Sequence, residues 1–400
     1  MLLEILAAII LGITAGIITG LIPGVHINLI SLILLSISPI LLNYTNPIVL
    51  CCFIISMSVT HSFLDAIPSI FLGAPDADQA LTVLPGHKLL LEGKGFEAVK
   101  LTVIGSLLCL IFAALIVPVM IPITRTIYPL LKNYIGYLLI AITVFMILKD
   151  KKKLMNLIVF LVSGVLGLIV LNMPNLQDPL FPMLSGLFGT SMLVVSLTQK
   201  VKIPKQTFKE TITVEKKNIA KAIGAGTLAG SLTGFFPGLG PAQGAVLASQ
   251  LTKDIGNYGF MILVGGINTV NFVLSLVTLY TIEKARNGAV IVVSKLIENY
   301  TIIFLIIFIC AALIAGATST LLALKISKLF ARAMEKVNYT IVASGVILLI
   351  TILVFYFSGP LGILVLIVST GIGIIPGLTG TARNHQMGCL ILPVILFFML

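Results

Sequence analysis

One aspartate closes the longest uncharged stretch of the sequence. Residues 5–64 contain no Asp, Glu, Lys or Arg, and Asp65 follows them, one helical turn after His61. An ionisable group in so apolar a setting is a candidate for ion coupling or gating; a helix cap near an interface is the alternative. Asp76 and Asp78 come next, beside a Gly-Ala-Pro break. They are candidates for binding a coupling cation, and a solvated loop is the alternative there.

Two apolar runs are each interrupted by a Pro-Gly pair. The first reads GLIPG over 20–24, and the second reads GFFPGLGP over 234–241. Such a pair breaks a helix and frees backbone groups, which membrane depth tolerates only beside protein or a water-filled cavity. A helix that restarts after the break points N–H groups and a positive dipole end at that cavity. The breaks therefore predict an anion site at mid-membrane, with purely structural kinks as the alternative.

The candidate substrate-binding residues lie at these breaks or at polar positions of apolar segments. They are Gly20, Pro23, Gly24, His26, Asn28, Gly234, Pro237, Gly238, Gly240, Pro241, Gln243, Asn268, Asn271 and Arg383. Hydrogen bonding between helices is the alternative role for Asn268 and Asn271. Arg383 follows a third Pro-Gly pair, at 376–377. Because no Lys or Arg lies near the first two breaks, helix ends and neutral donors would hold the anion there.

The composition indicates which elements position these residues. Only 10% of the 400 residues are charged and 58% are apolar, whereas about 25% of a soluble domain is charged. This excludes a soluble enzyme, and it excludes a disordered chain, because disorder requires low hydrophobicity and high charge. The sequence predicts an all-α polytopic membrane protein of roughly 12–14 helical segments, some of them broken or re-entrant at Pro-Gly pairs.

Basic residues occur in short clusters between the apolar runs, near 149–153, 200–221 and 325–336. This pattern is typical of cytoplasmic loops, so the net charge of +11 does not indicate a nucleic-acid partner. The five cysteines lie in apolar runs without metal-ligand spacing and are expected to be buried. The expected location is the cell membrane, crossed several times, with no cofactor and no metal.

An internal repeat relates the two parts of the chain. GITAGIITGLIPG (12–24) and GTLAGSLTGFFPG (226–238) share the same Gly, Ala, Thr and Pro positions at an offset of 214. VSGVLG (162–167) aligns with VSTGIG (368–373) at an offset of 206. The glycines in the first pair of segments predict close helix packing. Two homologous repeats follow, residues 1–198 and 221–400, joined by a polar cytoplasmic linker, 199–220.

The basic clusters predict how the repeats are oriented. In this alignment the cluster at 325–336 corresponds to a short turn near Pro122, whereas 149–153 lies at the opposite end of the following helix. If both clusters are cytoplasmic, the two repeats are upside down relative to each other. Inverted repeats are a hallmark of secondary transporters, and Glu4 at an external N-terminus agrees with this orientation.

Sequence signatures of soluble enzymes are absent. No P-loop, G-x-S-x-G, H-E-x-x-H or CxxC pair occurs, and the glycines at 238–244 lack the dinucleotide-binding spacing. A membrane-embedded enzyme would need a nucleophile with a base, or paired acids. His26 and His61 beside Asp65 are the only residues that could be so imagined, and we expect a protein that is not an enzyme.

Several segments give the chain a resemblance to one family. They are GLIPG (20–24), GAPDADQALTVLPGHKLLLEGKG (73–95), LFPMLSGLFG (180–189), GFFPGLGP (234–241) and IIPGLTGTARNHQMGCLILP (374–393). The sequence resembles the TctA-type permeases, the large membrane subunit of the tripartite tricarboxylate transporters. It is most similar in type to their shorter prokaryotic relatives of unassigned substrate.

The resemblance implies secondary transport of an organic anion, a carboxylate, driven by Na⁺ or H⁺. It also implies candidate partners: a small membrane subunit, a binding protein and a second copy in a homodimer. Transport of an anionic lipid carrier such as a polyprenyl phosphate is an alternative, since helix N-termini bind phosphate equally well. A membrane enzyme or a scaffold without transport activity is the other.

Overall fold

The computed structural model describes residues 1–22, 27–73, 83–149, 152–198, 204–208, 212, 214–235, 240–252, 255–285, 287–336 and 339–400. Within these residues the chain is helical and contains no strand. The α-helices are α1 (Leu2–Leu21), α2 (Ile27–Leu41), α3 (Pro47–Leu64), α4 (Ala66–Phe71), α5 (Val83–Leu91), α6 (Gly95–Leu131), α7 (Ile135–Lys149), α8 (Lys153–Leu171), α9 (Leu180–Leu184), α10 (Ser191–Thr198), α11 (Lys216–Phe235), α12 (Pro241–Leu251), α13 (Gly256–Ile282), α14 (Gly288–Leu296), α15 (Ile302–Lys336), α16 (Tyr339–Thr379) and α17 (Gly388–Met399).

The helices confirm the all-α polytopic membrane class. Seven of them are long and apolar enough to cross a membrane. Large apolar side chains point outward on several, among them Leu115 on α6 and Leu321 on α15, which are 70% and 64% exposed. Apolar side chains that face outward suit a bilayer, because lipid tails are as apolar as they are. The chain is a multi-pass membrane protein.

The described helices outnumber the predicted segments because short helices escape a search for spanning segments. Neither α5 nor α14 exceeds nine residues, and α4 continues α3 after Asp65. The predicted 180–198 segment is divided, with a π-helix at Ser185–Thr190 between α9 and α10. Conversely, Pro376 does not end a helix: α16 continues to Thr379, and its non-helical residue is Gly359, at φ 66°. The predicted third break is therefore wrong in position.

A first bundle contains helices from both repeats. Helices α1, α3, α6, α11, α13 and α15 pack on one another, and α6 contacts α13 more extensively than any other helix. Glycines make the closest crossings, since a Cβ at Gly105 of α6 would meet the Ile262 carbonyl oxygen of α13. Each repeat thus packs its long helix on the other repeat: α6 on α13, and α15 on α3.

Contacts along these helices define their directions. Helices α6 and α13 run parallel, because Glu97 contacts Tyr258 near their starts and Arg125 contacts Tyr280 near their ends. Helix α15 runs parallel to α3 and α4, since Gly316 lies against Phe63 and Phe330 against Phe71.

Helices α6 and α15 run antiparallel. Phe96, at the start of α6, contacts Lys328 near the end of α15, and Leu110 lies against Gly316 at the centre of both. Because α3 follows α15 and α13 follows α6, α3 and α13 also point in opposite directions.

A second bundle consists of α7 to α10 from the first repeat and α16 and α17 from the second. Its crossings occur twice with the repeats exchanged. Gly388 of α17 lies against the Phe160 carbonyl oxygen of α8, and Gly186 lies against the Leu366 carbonyl oxygen of α16. The offset of 206 between Phe160 and Leu366 is the offset of the VSGVLG and VSTGIG segments, so the second sequence match corresponds to a matched contact.

The described part of the linker, residues 204–208, is docked on the first repeat. The Gly95 N–H donates to Gln206 Oε1, and Gln206 Nε2 donates to the Leu90 carbonyl oxygen at 3.1 Å. Thr207 N–H donates to the Gly93 carbonyl oxygen. Gly93 has φ 78°, a left-handed conformation that glycine adopts without strain. The segment covers the turn between α5 and α6.

Candidate functional site

The first interrupted helix, α1, is held against α3 by a row of glycines. Cβ atoms at Gly12, Gly16 and Gly20 would lie 2.5, 2.6 and 2.9 Å from the carbonyl oxygens of Phe53, Met57 and His61. Only glycine permits so close an approach of two backbones. The prediction of close packing by these glycines is confirmed, and the row ends where α1 ends, beside His61.

The second interrupted helix, α11, repeats this packing on α13. Cβ atoms at Gly226, Gly230 and Gly234 would lie 3.1, 2.8 and 3.3 Å from the carbonyl oxygens of Leu263, Ile267 and Asn271. The glycines are offset by 214 from those of α1, and their contacts by 210 from those of α3. Each repeat therefore has the same helix pair, and Asn271 occupies the place of His61.

Both interruptions lie near the middle of the helix that supports them. His61 is 14 residues after Pro47, the start of α3, and 10 residues before Phe71, the end of α4. Asn271 is 15 residues after Gly256 and 11 before Ile282, the two ends of α13. At about 1.5 Å per residue, each contact is roughly 20 Å from one end of its span. In addition, α3 and α13 contact each other.

The helix that follows each interruption starts within the same region. Five residues separate Leu21 from α2, and five separate Phe235 from α12. The first turn of α12 lies beside the last turn of α11, because a Cβ at Gly244 would lie 2.8 Å from the Thr233 side chain. The amino end of α12, with its free backbone N–H groups, is thus near the depth of Asn271.

Buried polar side chains surround the first interruption. His61 Nδ1 lies 3.2 Å from Thr19 Oγ1, and the His61 side chain is 4% exposed. Asp65 is 3% exposed and forms the junction of α3 and α4; its N–H donates to the His61 carbonyl oxygen. Asp65 makes no side-chain cap of α4. The capping alternative for this carboxylate is therefore not what the structure shows.

The second interruption has neutral polar groups at the same places. Ser275 Oγ donates to Asn271 Oδ1 at 3.3 Å, and both side chains are buried. Asn268, one turn before, is 7% exposed. On α12 the Gly240 N–H donates to Gln243 Oε1 at 2.9 Å. The Gln243 carboxamide oxygen thus caps its own helix, so its NH₂ group is the part that could meet an anion.

Arg383 belongs to the second bundle. It lies in a 3₁₀ turn, Arg383–Met387, and donates from Nη1 to Ser191 Oγ of α10 at 3.3 Å. This turn contacts α8, and it also contacts α12, the helix that follows the second interruption. Arg383 is therefore joined to the predicted site through α12, while Gly20, Gly234, Asn268 and Asn271 belong to the first bundle.

Several predicted residues lie outside the described part of the chain. They are Pro23, Gly24, His26, Asp76, Asp78, Pro237 and Gly238, and of Asn28 only the backbone is described, within α2. Among the residues that are described, no group of three His, Cys, Asp or Glu could hold a metal ion.

Three polar residues at the site were missed in the sequence. Thr19 and Thr233 sit at equivalent positions, and each hydroxyl donates to a glycine carbonyl oxygen three residues earlier, Gly16 or Gly230. Their identity within the repeat was the available signal. Ser275 was not detectable in this way, because the offset changes from 214 to 210 between α1 and α3, and serine replaces the acidic residue.

Comparisons with known proteins agree with this arrangement of membrane helices. Residues 6–388 match the Tripartite tricarboxylate transporter TctA family. The chain is 31% identical over 357 residues to Uncharacterized protein MJ1079 of Methanocaldococcus jannaschii, covering 87% of this chain and 88% of that protein. No solved structure matches the chain. The chain belongs to the tripartite tricarboxylate transporter TctA family of membrane proteins.

Proposed function

We propose that the chain is a secondary transporter of an organic anion, a carboxylate, which binds between the two interrupted helix ends. The observation that carries this proposal is the repeated contact of Gly20 with His61 and of Gly234 with Asn271 at mid-depth. Membership of a transporter family supports it, and it implies that the chain is not an enzyme. A binding site between two equivalent elements suits alternating access from the two sides.

The anion would be held by backbone and neutral donors. Residues 5–64 and 222–252 contain no Lys or Arg, so the amino ends of α2 and α12 would supply the positive potential. Asn268, Asn271 and the Gln243 NH₂ group would donate hydrogen bonds. Arg383 would add a full charge from the second bundle when its turn approaches α12.

We infer that the two repeats are inverted. The support comes from the antiparallel directions of α6 and α15, and of α3 and α13, described above. A second support is charge. Lys94, Lys100, Lys216, Lys217, Lys221, Lys328 and Arg332 lie at one end of the first bundle, whereas Glu4, Arg125, Glu283 and Lys284 lie at the other. The positive-inside rule assigns the first end to the cytoplasm.

Coupling to Na⁺ or H⁺ would use Asp65 together with Asp76 and Asp78. Asp65 supports this role best, because it is a buried carboxylate at the depth of the interruption. Burial of a charge in a membrane protein is costly and is retained where it serves a function. A small membrane subunit, a binding protein and a second copy of the chain are the partners that the family suggests.

A ligand screen of purified protein would test the substrate class. Carboxylates such as citrate and succinate are expected to raise the melting temperature, because a ligand that binds the folded state stabilises it. Inorganic phosphate and a short polyprenyl phosphate serve as the competing class. Stabilisation by the polyprenyl phosphate, with none by any carboxylate, would replace the carboxylate proposal with transport of a lipid carrier.

A further inference from the structure

We propose that His61 and Asp65 form a proton-binding pair, and that the coupling ion of the transport proposed above is therefore H⁺. Asn271 and Ser275 are the counterpart of this pair in the second repeat, where no proton can be carried. The inference rests on the proposed function for its role in coupling, and on the structure alone for the pair itself. One proton would bind on one side of the membrane and leave on the other.

The two pairs occupy equivalent places. Gly20 lies against the His61 carbonyl oxygen as Gly234 lies against that of Asn271. Adding 210 to His61 and Asp65 gives Asn271 and Ser275. In both pairs the two residues are one helical turn apart on the same face. The Asp65 N–H donates to the His61 carbonyl oxygen at 2.9 Å, so the helix is unbroken between them.

The hydrogen bonds of Thr19 define the protonation state of the His61 ring. Thr19 Oγ1 donates to the Gly16 carbonyl oxygen at 3.3 Å, and the equivalent Thr233 makes the same bond at 3.0 Å. A hydroxyl has one proton to donate, so Thr19 Oγ1 accepts from His61 Nδ1 at 3.2 Å. The neutral ring then carries its proton on Nδ1, and Nε2 is the atom that gains the second proton.

The helices packed against α3 place no other charged group at this depth in the described part of the chain. Their charged residues lie towards the helix ends: Glu4 on α1, Glu97, Lys100 and Arg125 on α6, Lys295 on α14, and Lys325, Lys328 and Arg332 on α15. Helices α2, α4 and α13 contain none. The weakly acidic thiols of Cys51, Cys52 and Cys109 and the phenols of Tyr258, Tyr280 and Tyr300 also lie on α3 or these neighbours. A charge change at the pair is therefore felt mainly by the pair.

The residue types favour a proton over a sodium ion. An imidazole gains and loses a proton near neutral pH. Hard cations, by contrast, take oxygen ligands, for which a ring nitrogen is a poor substitute. A carboxylate one turn away favours the protonated ring, and the pair shares the proton as a unit. The second repeat keeps the shape of this site with an amide and a hydroxyl, which do not titrate in this range.

Histidine NMR on the full-length protein in liposomes would test the pair without any substrate. The chain has four histidines, at positions 26, 61, 87 and 385, so ring ¹⁵N labelling gives few signals and His61→Asn identifies the one required. The His61 ring is expected to change between its neutral and charged forms between about pH 5 and about pH 9. In Asp65→Asn the midpoint is expected to move to lower pH by about one unit or more.

Ser275→Ala alters the matching position of the second repeat and is the control, because it should leave the His61 midpoint in place. A midpoint unchanged in Asp65→Asn, or a ring in one form throughout, would overturn the proton pair. So would a wild-type midpoint that moves to lower pH on addition of Na⁺, since the site would then bind sodium. The sodium comparison uses wild-type protein and decides the matter even if Asp65→Asn does not fold.

Failure of this inference is distinguishable from failure of the proposed function. A titrating pair in a protein that moves no anion would retain the proton site and remove the transport role. Uptake of an anion by a protein whose pair does not titrate would retain the transport and remove H⁺ as the ion carried at His61 and Asp65.

Discussion

At the scale of single residues, the glycines of the interrupted helices differ in what they contact. A Cβ at Gly230 would lie 2.6 Å from the Val270 side chain, whereas a Cβ at Gly224 on the same helix would meet nothing within 4 Å. Gly230→Ala is expected to destabilise the protein by about 1–3 kcal/mol, because α11 must move away from α13. Thermal unfolding of the purified protein in detergent would measure this.

Gly224→Ala is the matched control, on the exposed side of the same helix. It is expected to stabilise the protein slightly, by up to about 1 kcal/mol, because alanine is the better helix former. Equal loss of stability in the two variants would show that helix propensity, not the contact with α13, determines the role of these glycines.

At the scale of helices, the packing of α6 against α15 gives a direct test of direction. A cysteine pair at Phe96 and Lys328 is expected to cross-link, since the Lys328 Nζ lies 5.3 Å from the centre of the Phe96 ring. A pair at Phe96 and Ile303, near the other end of α15, should not. The five native cysteines would first be replaced, and gel mobility after proteolysis between the helices would report the link. Cross-linking of the Phe96–Ile303 pair alone would mean that α6 and α15 run parallel.

The docked linker gives a second test at this scale. Gln206→Ala removes the acceptor of the Gly95 N–H, and an unsatisfied buried group costs about 1–3 kcal/mol. The variant is expected to be cut by trypsin after Lys205 faster than the wild type. Thr198→Ala, whose hydroxyl bonds within its own helix, is the control. An unchanged cleavage rate would mean that these hydrogen bonds do not hold the segment.

The sequence determined the spanning helices well and the short elements poorly. Helices α1, α11 and α12 begin and end close to their predicted limits, because Pro-Gly pairs mark their ends. Gly359 and Pro376 misled in opposite ways: the glycine at φ 66° interrupts α16, while the proline fits within its last turn. A proline near a helix end in a membrane is tolerated when neighbours satisfy the freed carbonyl, and here the Thr381 N–H donates to the Pro376 carbonyl oxygen.

The candidate site was predictable in part. Its glycines and Pro-Gly pairs repeat in sequence at a constant offset, so they were visible. The relation of His61 and Asp65 to Asn271 and Ser275 was not visible, because the chemistry differs and four residues are missing between the helices of the second repeat. Packing of each glycine row on a carbonyl row revealed it.

At the scale of the whole molecule, the helix directions predict which loops share a side of the membrane. Cysteines introduced at Lys221 and Lys328 are expected to be labelled from the cytoplasm, and cysteines at Glu4 and Lys284 from outside. The reason is that α11 starts and α15 ends at the basic end of the first bundle. Labelling of Lys221 and Lys328 from opposite sides would contradict the inverted arrangement.

Uptake into proteoliposomes is the most direct test of transport at the two interrupted helices. Purified protein is expected to take up radiolabelled citrate or succinate in a saturable way under an imposed H⁺ or Na⁺ gradient. Gly20→Val should lose most of this uptake while remaining folded, because a Cβ there would lie 2.9 Å from the His61 carbonyl oxygen. Gly224→Ala should retain it. No uptake under either gradient, or equal uptake by folded Gly20→Val and the wild type, would contradict the account.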